Sequence, residues 1–274
     1  MRKNEKSMKQ KIIILARDCD STNVVYNYLK KFFEIEAVVF ENPIPRKKQF
    51  LNRAKRLGYM NAIGQVIFFL GIAPLIKSLS QKRKAEIFRQ HELDETQPPE
   101  HVIKRIRYVN TDEGRSLIKE LNPDLIIVNG TRIISKKTLE SVPSTFINIH
   151  TGITPAFRGV HGGYWAMAKG QKNLFGTTVH YVDTGVDTGG IIKQVFIDPS
   201  KKDNFYTYPY LQYAAVLPEL RQVIQSFVDG EKPATKPAVT DESFLWFHPT
   251  IFQWLGNLKR TFVFILAISF IQLF

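Results

Sequence analysis

The chain has 274 residues, 44% of them apolar and 23% charged, which is enough for a sizeable core in one large domain or one domain with an appendage. A formal charge of +13 favours anionic partners, and the single cysteine, Cys19, excludes an internal disulfide and suits a small packing residue better than a reactive thiol. The basic stretch 1–11 leads into an apolar run, Ile12 to Ala16, too short for a secretory core, so a cytoplasmic protein is expected.

Strand-like and helix-like segments alternate over the first two-thirds, which predicts an α/β fold with a mainly parallel sheet and crossover helices. Lys11 to Arg17 reads as a strand, Thr22 to Phe33 as a helix and Glu36 to Phe40 as a second strand. Residues 41–100 break the alternation. Within about 44–93, basic clusters at Arg46 to Arg56 and Lys77 to Arg89 flank the apolar run Gly58 to Ile76. Such an insertion suits an anionic membrane surface, or packing on the sheet with solvated lysines at its ends. Asn61, Gln65 and Pro74 make it marginal as a spanning helix.

Alternation resumes with a helix from Asp112 to Leu121 capped by Thr111, a strand from Asp124 to Asn129, a short helix from Lys136 to Ser141 and a strand from Phe146 to His150. In open α/β sheets ligands bind beyond the carboxyl ends of strands, where both 130–134 and Asn148 to His150 fall. Past Gln194 a helix from Leu211 to Val228 is expected, then a break at Gly230 to Pro233 and an aromatic segment near Leu245 to Pro249 short of obvious strands. Residues 261–274 are uncharged and too few to cross a bilayer, so protein or lipid should cover them. The expected division is 1–195 for a catalytic domain and 196–274 for an extension.

Alternation along Thr145 to His150 puts the Asn148 carboxamide and the His150 imidazole on one face, about 7 Å apart at the backbone. A donor for a developing oxyanion and a titratable base are what acyl transfer from a carbonyl to an amine requires. Asp187, in the run Val182 to Gly190, can hold an imidazolium and help move the amine proton. Taken singly, Asn148 as a turn residue, His150 as a buried histidine and Asp187 as a turn former are equally ordinary. His150, His161, His180 and Asp183 or Asp187 are zinc-competent, but the absence of a helical i,i+4 pair and of a cysteine cluster sets metal aside. There is no Gly-x-Ser-x-Gly elbow and no Gly-x-Gly-x-x-Gly after the first strand.

Asn148-Ile149-His150, then Pro155-Ala156-Phe157-Arg158-Gly159, then Asp183 to Gly190, in that order, resemble the folate-dependent formyltransferase family. That family includes the glycinamide ribonucleotide, methionyl-tRNA and sugar N-formyltransferases. The likeness extends upstream through Pro123 to Ile134 and covers roughly residues 110–195. It implies a Rossmann-like formyltransferase fold, to which a basic-apolar helical insertion and a C-terminal helical extension are added. It also implies N10-formyltetrahydrofolate as formyl donor, its pterin against Thr131, Arg132, Ile133 and Ile134 and against the backbone of Thr184, Gly185 and Val186. Asn148, His150 and Asp187 would be the catalytic set, with Arg158, Gly159 and His161 toward the acceptor; Arg158 is equally suited to lock its loop through carbonyls.

Two departures from the family bear on the acceptor. The loop Arg17 to Asn23 carries Asp18 and Asp20, expected to repel a phosphate, and the residues after Gln194 do not match the β-barrel of the methionyl-tRNA enzymes. An amino sugar on a nucleotide or lipid carrier is therefore the expected amine acceptor, with an anionic membrane surface on the cytoplasmic side as a further partner and nucleic acid disfavoured. A formyltetrahydrofolate hydrolase and a membrane-surface binding protein with a degenerate site are the alternatives.

Overall fold

A computed structural model describes residues 10–261, so the readings of the basic N-terminal stretch before residue 10 and of the apolar run 262–274 lie outside the described residues. The chain begins with β1 (Ile12–Arg17), whose apolar run is buried on both faces as a central parallel strand requires, then α1 (Asp20–Leu29) and β2 (Ile35–Glu41). The insertion follows as α2 (Arg46–Leu57), α3 (Tyr59–Ile67), a π-helical turn at Phe68–Ile72, α4 (Ala73–Leu79) and α5 (Gln81–Gln90). Gly58, at φ 85, separates α2 from α3, and Pro74 follows the π-helical turn, where the helix absorbs its missing N–H.

After β3 (Ile103–Ile106), helix α6 (Asp112–Leu121) starts where expected, the Thr111 hydroxyl accepting from the Gly114 N–H at 3.2 Å. Next come β4 (Leu125–Asn129), α7 (Lys136–Leu139), β5 (Thr145–His150), β6 (Arg158–Gly159) and α8 (Gly162–Ala168). The chain continues through β7 (Gly176–Tyr181), β8 (Ile191–Phe196), α9 (Tyr208–Val228), β9 (Leu245–Trp246) and α10 (Ile251–Gly256).

The seven-stranded sheet has the order β3-β2-β1-β4-β5-β7-β8. The first five strands are parallel and the last two antiparallel. Strand order reverses between β1 and β4, which opens a crevice at their carboxyl ends. The β7–β8 hairpin did not emerge from the alternation because the connection, 182–190, holds no helix, and so short a link can only return antiparallel. β3 escaped because it is an edge strand with exposed Lys104 and Arg105 at its centre. Helix α1 stops at Leu29 rather than Phe33, the chain turning through Lys30 to Phe33.

Residues of α9, among them Val216, Leu217, Leu220 and Ile224, lie in the same buried cluster as Ile12, Ile14, Ile127 and Ile147. The expected boundary after residue 195 therefore divides no core: the extension covers one face of the sheet. β9 also pairs in parallel with β6, placing a strand in the aromatic segment where none was expected. A separate aromatic cluster fixes the insertion. Phe68, with no exposure, packs its ring 5.3 Å from Phe69, 5.1 Å from Phe205 and 6.0 Å from Trp254. Phe68→Ala should cost about 3–5 kcal/mol in denaturant unfolding; a loss near zero would mean that the insertion is not docked on the extension.

Candidate active site

Asp187, 37 residues beyond His150 in the sequence, meets Asn148 and His150 where the parallel and antiparallel strands join. Asn148 and His150 are on one side of β5, and Asp187 returns to them from the β7–β8 connection. The Asn148 amide donates to Asp187 Oδ1 at 3.2 Å, and His150 Nδ1 lies 3.4 Å from Oδ2. Gly159 donates its backbone N–H to Oδ2 at 2.8 Å. A fourth group was not foreseen as part of this site: His180, directly opposite Asn148 across the β5–β7 ladder, has Nε2 at 3.0 Å from Asn148 Nδ2 and 3.6 Å from Asp187 Oδ1. The β-branched run Thr177-Thr178-Val179 before His180 was the strand signal that could have found it.

Desolvation works to raise the Asp187 pKa, but the charge of His150, the hydrogen bond with His180 and the Gly159 N–H outweigh it and hold the carboxyl at about 2. Asp187 is thus a carboxylate throughout the working pH range. Its backbone is left-handed, φ 51, a region that Asp tolerates better than most residues. The Phe157 carbonyl, 2.6 Å from His150 Nε2, takes that nitrogen's proton, so Nδ1 faces Asp187 as a lone pair in the neutral ring and as a donor only in the imidazolium. Gly152 makes this packing possible, since a Cβ there would stand 2.6 Å from His150 Nε2.

Arg158 donates to the Val186 carbonyl at 3.2 Å and so locks the Asp187 loop, while its buried Nε finds no partner among the described residues. Gly159, at φ 96, lies against the Trp246 backbone and admits no side chain. Ile134 is buried with Val128 and Phe146, and Val182 packs on the same cluster, so the loops expected to flank the pterin converge on one layer. Thr184 and Gly185 are exposed, and Thr131 and Val186 half-buried. Arg132 turns away: its N–H and Nε reach Glu41 Oε2 at 3.0 and 3.3 Å, and its guanidinium lies 3.9 Å from the Tyr108 ring centre. The Ile133 carbonyl accepts from Tyr108 and Asn110, each at 2.9 Å, and the Ile133 side chain is half exposed.

His161 does not join the Asn148 cluster's hydrogen bonds. Its Nε2 lies 2.9 Å from His248 Nδ1, and its ring is 4.6 Å from that of Phe205 and 6.2 Å from that of Phe69. Burial pushes His161 down to about 4, with Arg53 and Arg17 adding repulsion. Burial, His161 and the same arginines push His248 down to about 2. The folded chain keeps both rings neutral where the unfolded chain takes up protons, below about pH 6.5. Their contribution to stability is therefore present above that pH and drains away as the pH falls toward about 4. In thermal melts the gap between wild type and His161→Gln should narrow from pH 7 to pH 5; a constant gap would show that the ring is not held neutral by burial.

A largely buried carboxylate beside a carboxamide and two imidazoles thus sits where the parallel and antiparallel strands of a Rossmann-like sheet join. Residues 73–208 match the family described as Formyl transferase, a segment that contains Asn148, His150, His180 and Asp187. Methionyl-tRNA formyltransferase of Ruminiclostridium cellulolyticum is 38% identical over 96 residues, which are 34% of this chain and 30% of that protein. The match thus spans less than a third of that curated relative's length. A sugar N-formyltransferase from a Shewanella species has a TM-score of 0.54 at 14% identity, over 92% of this chain and 87% of its own. Phosphoribosylglycinamide formyltransferase from Anaplasma phagocytophilum has a TM-score of 0.54 at 16% identity, over 88% and 100%. The structural likeness is one of fold, the Rossmann-like formyltransferase fold.

Proposed function

We propose that the protein transfers a formyl group from N10-formyltetrahydrofolate to the amine of an amino sugar. The observation that carries this reading is the convergence of Asn148, His150 and His180 on the ionised Asp187. The donor, when bound, supplies an activated formyl carbon beside its pterin. The layer formed by Ile134 and Val182, the half-exposed Ile133 and the open backbone at Thr184 and Gly185 fit a flat ring with polar edges.

As the amine forms its C–N bond, the formyl oxygen gathers charge and competes with Asp187 for a hydrogen of the Asn148 amide. Asp187 accepts the proton that the amine loses and so becomes a weaker acceptor, which frees that amide hydrogen for the oxyanion. His150, held by Phe157, keeps Asp187 oriented and stabilises its charge before the transfer. The same proton then goes to the departing nitrogen as the old C–N bond breaks, so none is lost. Support for a sugar comes from the similar fold of a sugar N-formyltransferase and from an acceptor side built by the insertion and the extension. Asn148→Ala should lower turnover by about 10²–10³-fold with folate binding little changed. Turnover within threefold of wild type would remove Asn148 from this role, and rapid formate release without acceptor would identify a hydrolase instead.

We infer that the insertion also seats the enzyme on the cytoplasmic face of an anionic membrane. Residues 59–79 form a continuous apolar helical stretch, of whose most apolar 18 residues only 28% are buried, and Met60 at 78% and Leu70 at 73% exposure stand out from it. Phe252 and Leu255 of the adjacent α10 extend the same apolar surface. Residues 42–85 contain no acidic side chain, and Arg46, Lys47, Lys48, Lys77 and Lys82 are exposed around that surface. The charge complements anionic headgroups while the apolar chains enter the interface. Wild type should sediment with phosphatidylglycerol vesicles, and Met60→Glu with Leu70→Glu should reduce binding at least tenfold while leaving turnover of a soluble acceptor unchanged. Equal sedimentation of both proteins, or of neither, would overturn the reading.

A further inference from the structure

Glu41 closes β2 and is only 6% exposed, and it is the last acidic side chain before the acid-free run 42–85. β1 and β4 separate its strand from β5, so Glu41 stands apart from the groups around Asp187. A carboxylate this far out of water needs protein donors in place of it. Oε1 accepts the Val109 N–H at 2.9 Å, and Oε2 accepts the Arg132 N–H at 3.0 Å and its Nε at 3.3 Å. These donors belong to two loops at the carboxyl end of the sheet, one after β3 and the other, 130–134, after β4.

The two loops are in turn joined to each other. Arg132 Nη2 donates to the Arg107 carbonyl at 2.6 Å and to the Asn42 carbonyl at 3.4 Å. The Tyr108 hydroxyl and the Asn110 amide converge on the Ile133 carbonyl, and Asn110 Oδ1 accepts the Ser135 N–H at 2.9 Å. The Arg132 carbonyl and the Ile133 N–H, by contrast, have no hydrogen bond among the described residues. Side chains from the first half of the chain thus hold one set of main-chain groups of the loop, and an acceptor and a donor are left for water or a ligand.

Glu41 also decides where the charge of Arg132 goes. The guanidinium lies 3.9 Å from the Tyr108 ring centre, on the side of the loop that Glu41 occupies. Because the Arg132 N–H and Nε share Oε2, side chain and main chain are held by one anion, and releasing one releases the other. Charge-assisted bonds of this kind are the strong ones.

We propose that Glu41 is a positioning residue for formyl transfer: it fixes 131–134 in the conformation that receives the donor's ring, acting through Arg132 and touching no substrate itself. The identity of the ligand rests on the formyl-transfer reading, whereas the tie between Glu41 and the loop is a matter of geometry. Glu41 lies outside the family-matched segment, and the loop that it holds lies inside.

The test is calorimetric titration of the full chain with 5-formyltetrahydrofolate, a stable isomer of the donor, paired with amide hydrogen exchange of the ligand-free protein. Glu41→Gln leaves one acceptor oxygen for the Val109 and Arg132 donors and turns an NH2 group on the other. It should weaken binding about tenfold and speed exchange across 131–135, and Glu41→Asp should recover part of the affinity. Arg132→Gln should weaken binding about threefold, and the double variant should be no worse than Glu41→Gln alone, because the two residues act as one unit. If Glu41→Gln does not fold, Arg132→Gln decides: weaker binding with faster exchange in the free protein supports positioning, and unchanged exchange overturns it, since a side chain that only touched the ligand would leave the free loop as it was. Affinity within about twofold of wild type in a folded Glu41→Gln, or losses that multiply in the double variant, overturns the proposal and leaves the formyl-transfer reading in place. A wild type that does not bind the ligand overturns both.

Discussion

The site depends on removing one carboxylate from water without letting it protonate. Asp187 loses hydration on entering the pocket and recovers it from two protein donors, the Asn148 amide and the Gly159 N–H, with the imidazoles of His150 and His180 alongside as donors only when protonated. Each of the imidazoles is itself anchored. His150 is tied to the Phe157 carbonyl, and His180 Nδ1 is 2.7 Å from the Tyr181 carbonyl. The amide of Gly159 points at Asp187 because β6 is paired with β9. A polar network in low dielectric is strong only when every member is satisfied, which makes the extension part of the geometry around Asp187 although it contributes no side chain to that network.

The insertion is two-sided for a related reason. Its inward residues, Phe68 and Ile76, complete an aromatic cluster with Phe205, Tyr208 and Trp254, whereas Met60, Leu70 and Leu79 remain exposed among the described residues. One face thus packs on the domain, and the other presents apolar side chains among exposed basic residues. The same helices wall the cavity lined by Arg53, Arg56 and Gln65.

Much of the catalytic constellation was legible because it follows from local rules. Period-two alternation put Asn148 and His150 on one face of a strand, the run of glycines marked the Asp187 loop, and alternating elements implied a parallel sheet with its crevice at the carboxyl ends. The same reasoning misplaced what depends on distant partners. The charges of Asp18 and Asp20 were visible, but their neutralisation by Arg105 and Lys84 required the folded chain. His161 stood beside glycines like a substrate contact, but its partner, His248, lies far along the sequence and was brought in by the extension.

By itself the sequence determined the residue types and their order: a carboxamide, an imidazole and a carboxylate, and an acid-free insertion of apolar and basic segments. Tertiary structure alone decided that His180 joins them and that Arg158 spends a guanidinium nitrogen on the Val186 carbonyl of the Asp187 loop. Periodicity and turn chemistry act over a few residues and can be read along the chain. Cross-strand pairing, desolvation and charge proximity depend on which segments the hydrophobic core brings together, and that is settled only when the whole sheet has formed.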